Sequence, residues 1–523
     1  SDFDDDNKNE LMYALDKTKT NDYSFRCNSG NLEINGTQGN KQCGGYIPAH
    51  ILYTAAGSND GIVINGSTSS SYNNGGVNDC TIDWGDGKTS ACLKGNNPHA
   101  YSSAGDYHIR IYGEKFTGFC FHDDAIFCGS DVDANSNYRT KLKKLYSMGK
   151  WNNTFKTLQY AFSYAENLNE ISKNTFKYLT EVTNFGWTFF KCSNLAAIPA
   201  GLFDYNMKVT YFSSVFHDCS NLASIPADLF KYNTKVTDFD NAFYNCSKLT
   251  SIPENLFKHN TATIFFSGTF SHCSGLTLIP ADLFRYNTKV TNFSSAFSVC
   301  SGLTSIPDGL FRYNTKVTNF SSAFSGCSGL TLISENLFAN NTAVTYFNSA
   351  FSGCSGLTSI PENLFKHNTA VTNFTSTFYN CSGLTSIPEN LFANNMKVIN
   401  FSYTFNGCSG LTSIPENLFK ENKAVTNFDG AFRDCSKLAS IPADLFKNNT
   451  AATYFNRTFD GCSGLTSIPE NLFANNTAVT YFSFVFNEAK NLRCSDIAAA
   501  STNWPRWKVS GVDMTNATYN CKR

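Results

Sequence analysis

Apolar residues recur along most of this chain at a fixed interval that is neither that of a helix nor that of a strand. In the stretch 303–329, LTSIPDGLFRYNTKVTNFSSAFSGCSG, the apolar positions are Leu303, Ile306, Leu310, Phe311, Val317, Phe320, Phe324 and Cys327. The residues between them are mostly Ser, Thr, Asn, Asp, Lys or Gly. The pattern returns every 27 residues, most sharply in Cys192, Cys219, Cys246, Cys273, Cys300, Cys327, Cys354, Cys381, Cys408, Cys435 and Cys462. Ala165 and Ala489 hold the same position one period beyond each end. No unit of this size buries eight such groups alone, but stacking on neighbours buries them in a common core. The expected fold is therefore a solenoid of about 13 coils, residues 151–492. Its first and last coils are atypical, as terminal coils facing water must be.

Within a coil the pattern predicts two short strands. Leu303 to Ile306 is closed by Pro307, which is tolerated at a strand end. Val317 to Phe320 is β-branched and alternating. Asp308 to Tyr313 and Ser321 to Ser325 read as short helical turns or loops. In-register pairing would advance each coil by ~4.8 Å, giving a rod on the order of 60 Å. The columns through Phe311, Phe320 and Phe324 are packing columns, each buried ring contributing roughly 1.5–3 kcal/mol and lying within range of the next ring. A further column holds Asn206, Asn233, Asn260, Asn287, Asn314, Asn341, Asn368, Asn395, Asn422, Asn449 and Asn476. Asn there either tolerates a left-handed turn or bonds to backbone along the stack. A ligand ladder is the competing reading.

The remaining chain divides by pattern. Residues 1–26 are an acidic arm with a helical turn over Glu10 to Asp16, and 27–115 are an all-β domain rich in Gly, Asn and Ser. In Ile82-Asp83-Trp84-Gly85-Asp86-Gly87 the Asp-Gly pair signals a hairpin, with Asp83 and Asp86 as turn residues rather than an acid/base pair. Gly105 to Ile111 alternates like a half-buried strand. Residues 116–150 are a linker and N-cap, and 493–523 a disulfide-closed C-terminal cap.

Composition narrows the function. Net charge is −1 with 16% charged residues, and the single basic cluster is Lys141, Lys143 and Lys144. No nucleic-acid partner is expected. No run approaches the ~18 apolar residues of a membrane helix. A start at Ser1 without an apolar leader reads as a mature secreted chain. Eight cysteines lie outside the ladder, and sequence-local pairing suggests Cys27–Cys43, Cys80–Cys92, Cys120–Cys128 and Cys494–Cys521. Disulfides imply an oxidising compartment. The eleven ladder thiols read as free, buried small hydrophobes. Parallel side chains seldom reach a disulfide torsion, and no His or second Cys accompanies them as a metal ligand. Asp131, Asp133, Asn135 and Asn137 mimic half of a Ca²⁺ loop, broken at Ser136 and Leu142; a solvated linker is the competing reading. The eight His are dispersed, and no metalloprotease, nucleophile-elbow or phosphate-loop motif occurs, so no enzyme is expected.

What varies between coils is the position before the second Phe column: Asn184, Tyr211, Asp238, Phe265, Asn292, Asn319, Tyr346, Asn373, Asn400, Asn427, Tyr454 and Tyr481. Alternation places it off the core, beside the Thr column of Thr318. Tyr211, Phe265, Tyr346, Tyr454 and Tyr481 are the candidate ligand contacts: aromatics offer large area at low entropic cost, and amides offer hydrogen bonds. A soluble strand surface with no ligand is the competing reading.

Ala323-Phe324-Ser325-Gly326-Cys327-Ser328-Gly329-Leu330, followed by Thr-x-Ile and usually Pro, resembles the BspA-like leucine-rich repeats of bacterial and some protozoan surface proteins. The resemblance covers about two thirds of the chain, with a longer period than the family's commonest one. Ile82 to Gly87, with His99-Ala100-Tyr101 and Gly105-Asp106-Tyr107, resembles a PKD-type β-sandwich. The first resemblance implies secretion, surface display and adhesion to a protein or glycan on a host, the matrix or a neighbouring cell, with no catalytic residues. Two other readings remain at this stage. One is a self-associating subunit of an extracellular filament or surface layer, motivated by near-identical coils, neutral charge and an acidic arm able to dock on a neighbour. The other is ice binding by Thr columns, which are interrupted at Ile264 and Ile399.

Overall fold

A computed structural model describes residues 25–28, 31–34, 37–42, 49–55, 60–66, 79–91, 95–115, 141–149 and 155–504. The chain forms two compact units, Ser1–Val236 and Thr237–Arg523.

A coil has backbone groups to satisfy on both sides, and the second unit shows how it does so. The N–H groups of Phe320, Ser322, Phe324 and Gly326 reach forward to carbonyls of the next coil at 3.1, 2.8, 2.9 and 2.6 Å. Those of Ala323, Ser325 and Cys327 close three-residue turns within their own coil. This alternation needs a left-handed residue twice per coil, and Ser322 (φ 56°) and Gly326 (φ 73°) supply it. The cost of a left-handed non-glycine residue is offset by the inter-coil hydrogen bond it donates.

The two strands expected in each coil are therefore shorter than the pattern predicts. The Val317 to Phe320 segment contributes one parallel bridge residue, Asn319, between Asn292 and Tyr346. The Leu303 to Ile306 segment does so at Ser305 opposite Leu332. The strand stops there because Ser322 turns left-handed at φ 56°; in this coil Asn319 Oδ1 also accepts the Ser321 N–H at 2.8 Å. Residues 308–313 are turns, with the Arg312 N–H donating to the Gly309 carbonyl at 2.9 Å.

The apolar columns stack as rings. Phe311 and Phe338 lie 6.2 Å apart and Phe324 and Phe351 5.8 Å, all nearly parallel, while Phe311 and Phe320 tilt by 55° at 4.7 Å. The Asn column bonds to backbone: Asn341 Nδ2 donates to the Phe311 carbonyl at 3.1 Å and to the Asn314 carbonyl at 2.9 Å. The left-handed residues fall in other columns. The ladder thiols are buried and not in disulfides. Cys327 Sγ donates to the Phe297 carbonyl at 3.1 Å. At the C-terminal end of this unit, helix α1 (Cys494–Ser501) leads to Trp504, whose ring lies edge-on to Phe473 at 5.1 Å and covers the columns there.

The first unit begins with strands β1 (Phe25–Asn28), β2 (Asn31–Ile34) and β3 (Thr37–Gln42) in one antiparallel sheet. β5 (Asp60–Gly66) and β8 (Gly95–Tyr101) form an antiparallel pair. A six-stranded sheet is built from β4 (Ala49–Ala55), β6 (Asp79–Asp83), β7 (Thr89–Ala91), β9 (Gly105–Lys115), β10 (Leu142–Met148) and β11 (Glu170–Ile171). β6 and β7 are the arms of a hairpin over Trp84 to Lys88. Gly85 takes φ 80°, and a Cβ there would lie 2.7 Å from the His108 carbonyl oxygen. Asp83 Oδ1 accepts the Gly85 N–H at 2.9 Å, so the aspartate stabilises the turn.

Within the span 116–150, expected as a linker and N-cap, residues Leu142–Met148 form β10. β10 pairs antiparallel with β4 and parallel with β11, so the sheet runs directly into the first coils. Its buried residues Leu142, Leu145 and Met148 are three apart, which hides a strand from a search for alternation. Two register shifts against β4 accommodate that spacing.

Residues 1–24 of the acidic arm, with the helical turn over Glu10 to Asp16, the Ca²⁺ candidates Asp131, Asp133 and Asn135, and Cys43, Cys92, Cys120, Cys128 and Cys521 lie outside the described residues, while the arm's last two residues, Phe25 and Arg26, open β1. Cys27, Cys80 and Cys494 have described backbone only, so the four proposed disulfides are not resolved.

Candidate functional site

The candidate face is the column of bridge residues, because these side chains point away from the core while their backbone is pinned to neighbouring coils. In the second unit it runs Asp238, Phe265, Asn292, Asn319, Tyr346, Asn373, Asn400, Asn427, Tyr454 and Tyr481, each bridged in parallel to the next. In the first unit Asn184 bridges Tyr211. The five aromatics are exposed, from 36% for Tyr454 to 48% for Tyr211. Tyr454 and Tyr481 face one another at 4.5 Å with 6° between their planes, a preformed aromatic plate. Phe265 and Tyr346 are not adjacent to that plate; amide residues separate them from it and from each other. Beside the column, Thr318 Oγ1 donates to the Thr291 carbonyl at 3.3 Å and Thr345 Oγ1 to the Thr318 carbonyl at 3.2 Å.

Placing a ring in this column has a local cost. Where the residue is Asn or Asp, its own side chain accepts the N–H two residues on, as Asn292 does from Ser294 at 2.9 Å and Asn373 from Thr375 at 2.8 Å. A ring removes that acceptor. At Phe265 the Asp240 carboxylate of the preceding coil replaces it, accepting the Ser267 N–H at 2.6 Å. At Tyr454 Asp429 accepts the Asn456 N–H at 2.7 Å, and at Tyr481 Asn456 accepts the Ser483 N–H at 2.8 Å. In all three cases an acid or amide stands 25 residues before the ring. That signal is present in the sequence and its meaning is visible only once the coils are stacked. Tyr346 has Ser321 and Tyr211 has Gly186 at the same offset. Burial, with a smaller contribution from Asp238, pushes the Asp240 carboxyl up to about 6.

The ladder thiols are chemically quiet. Burial pushes Cys273, Cys327 and Cys408 up to about 12, so the nucleophilic thiolate is scarce near neutral pH. Among the described residues no group of three His, Cys, Asp or Glu side chains is placed to hold a metal ion. No described helix is long and apolar enough to cross a membrane.

Parallel bridges at one residue per coil, apolar columns and a buried asparagine ladder define a stacked-coil protein of the leucine-rich-repeat type. Residues 156–277, 264–383 and 291–418 match the family described as "Mycoplasma protein of unknown function, DUF285". These matches together span half of the chain, which belongs to that family. No curated protein matches it. Among solved structures, it is similar to a chain of the Toll–Spatzle complex of Drosophila at 19% identity and TM-score 0.37, over 60% of this chain and 41% of that one. It thus spans about two fifths of that chain's length. It is similar to a leucine-rich repeat protein from Bacteroides ovatus at 19% identity and TM-score 0.25, over 60% of this chain and 88% of that one. For a leucine rich cell surface protein from Faecalibacterium prausnitzii the values are 20% and 0.28, over 66% and 80%.

Proposed function

We propose that this is a secreted or cell-surface recognition protein, not an enzyme, which binds a protein or glycan partner through the bridge column of its second unit. The Tyr454–Tyr481 plate carries the reading: two exposed rings are held parallel at 4.5 Å, and the Tyr481 backbone under one of them is bonded to the coil of the other. Rings fixed in this way lose little entropy on contact with a partner, and such residues dominate binding energy at interfaces. The rings have no packing role that explains them, since other coils place Asn there. The intervening Asn and Thr supply directional hydrogen bonds along the same face.

The test is adhesion of the purified chain to matrix-coated surfaces and to cultured cells, compared with a Tyr346→Ala/Tyr454→Ala/Tyr481→Ala variant. Binding should fall at least tenfold while the thermal transition stays in place, because the three side chains are exposed. Equal adhesion by the two proteins would remove this face from the function.

A further inference from the structure

We propose that the first unit carries a second binding site, a cleft of about 340 Å³ that takes a neutral glycan. It is independent of the bridge column. It spans three consecutive coils and arises from short side chains in the middle one. The coil before it contributes Lys173 and Asn174, and the coil after it Asp228 and Lys231. Between them stand Ala200, Gly201 and Asp204. Gly201 has φ 80°, and a Cβ there would come within 2.9 Å of Asp204 Oδ2, so the glycine clears the room that this carboxylate uses.

Asp204 is an exception to the repeat. From Lys177 to Ala474 the equivalent position is Lys or Arg in eight coils and Ala in three. Packing therefore does not demand an acid. The contrast with Gly309 in the second unit is direct. That glycine also takes a positive φ of 74°, but the matching residue is Arg312, whose guanidinium lies over the Tyr313 ring at 5.8 Å.

The ligand class follows from the lining. Lys173 and Lys231 balance Asp204 and Asp228, so the cleft has no net charge with which to select an anion or a cation. It nonetheless offers both donors and acceptors. Among the described residues neither carboxylate takes a hydrogen bond, which leaves four acceptor oxygens for a ligand. Burial raises the Asp204 carboxyl, with Lys231 opposing the shift. Tyr205 and Tyr232, each 44% exposed, line the cleft one coil apart. Lys231 Nζ lies 5.3 Å from the Tyr232 ring centre and helps hold it. Ring faces for C–H groups, carboxylates for hydroxyl donors and ammonium groups for hydroxyl acceptors are together what an uncharged sugar chain presents surfaces for. A lipid would find too much charge, and a polyanion would meet two carboxylates.

The test is saturation-transfer NMR on the full chain with maltohexaose, cellohexaose, mannohexaose and 3′-sialyllactose. At least one neutral hexaose should receive saturation. Asp204→Lys, which restores the residue type that most coils carry, should weaken that binding at least tenfold, as should Tyr205→Ala. Lys420→Asp, the reverse charge swap in the same column of the second unit, should leave it unchanged. A thermal melt of each variant distinguishes loss of the site from loss of the fold, and Asp204→Asn serves if Asp204→Lys melts early. The proposal is overturned if no neutral hexaose binds, if binding survives Asp204→Lys and Tyr205→Ala, or if sialyllactose binds best. Loss of adhesion through the Tyr454–Tyr481 plate leaves this outcome untouched.

Discussion

The sheet around Trp84 and the coils of the second unit bury polar side chains by opposite means. In the sheet each buried polar group is a single arrangement. His50 is buried and shares a hydrogen bond with His108 at 2.8 Å beneath the Tyr146 ring. On β8, outside that sheet, the half-buried His99 bonds to Asp86 at 3.0 Å and stacks on Trp84 at 4.6 Å, and the Tyr101 hydroxyl donates to the Trp84 carbonyl at 3.0 Å. In the coils the regular buried polar groups are amides and thiols, one of each per turn, and the amides make the same bonds from coil to coil; hydroxyls such as Thr377 and the Asp460 carboxylate are buried in some coils only. The sheet thus buries a titratable imidazole, while coils 303–356 bury only groups that keep one protonation state; elsewhere in the repeat the half-buried Asp240 carboxyl is pushed up to about 6. One region should respond to pH, and the other to damage at a single rung.

The largest effect should come from breaking a rung. Phe338→Ala removes a ring that stacks on Phe311 and Phe365 and tilts against Phe347. A loss of ~3–5 kcal/mol is expected in urea unfolding. Because each coil is stabilised by its neighbours, the loss should appear as early exchange of amides around residues 311–365. Exchange spread evenly over the chain would show that the coils do not act as neighbours.

Next comes the amide ladder. Asn341→Leu keeps the branching of the side chain and removes two donated hydrogen bonds, which should cost roughly 1–3 kcal/mol. The Phe311 and Asn314 carbonyls still accept N–H groups within their own coil, which holds the figure to that range. A variant as stable as the parent would reduce the ladder to a bystander.

A smaller effect is expected from acid at His50, set against coils 303–356, whose only carboxylates, Asp308 and Glu335, are exposed. Burial, then the positive charge of Arg110 and the neighbouring His108, hold His50 well below its ordinary value of 6.5. The unfolded chain therefore binds the His50 proton first. The stability gained from a neutral His50 is fully present above about 6.5 and is lost as pH falls below it toward the folded value. Amide protection in β4 and β9 should drop between pH 7 and pH 5 while coils 303–329 and 330–356 hold theirs. His50→Phe should flatten that response. Parallel loss in both regions would remove the distinction.

The smallest effect is none at all. At pH 8 iodoacetamide should leave the eleven ladder cysteines unlabelled in the native protein, and label them after denaturation. Peptide mapping reads this directly, and rapid native labelling of Cys327 or Cys354 would mean that the column opens.

The difference between the regions also explains how far each was readable. In the coils, burial recurs at a fixed interval, so Phe311, Phe320, Phe324 and Cys327 declare themselves by position. In the sheet, β10 hides because its apolar residues are three apart and two register shifts absorb the mismatch. The exposed rings were legible as exceptions in a regular column. Their support from Asp240, Asp429 and Asn456 was not, since it joins residues that only stacking makes neighbours. Gly201 and Asp204 were equally silent, because a cleft formed by three short side chains has no local pattern.

The amino-acid order by itself determined the period, the contents of each column and the residues that break them. Those follow from one-dimensional burial, which depends only on a residue's place within its own coil. The tertiary structure decided where each N–H goes, that Ser322 and Gly326 turn left-handed and cut the strands to a single bridge, and which side chains meet at the Tyr454–Tyr481 plate and the Asp204 cleft. Those choices depend on the offset between one coil and the next, a quantity that only packing sets.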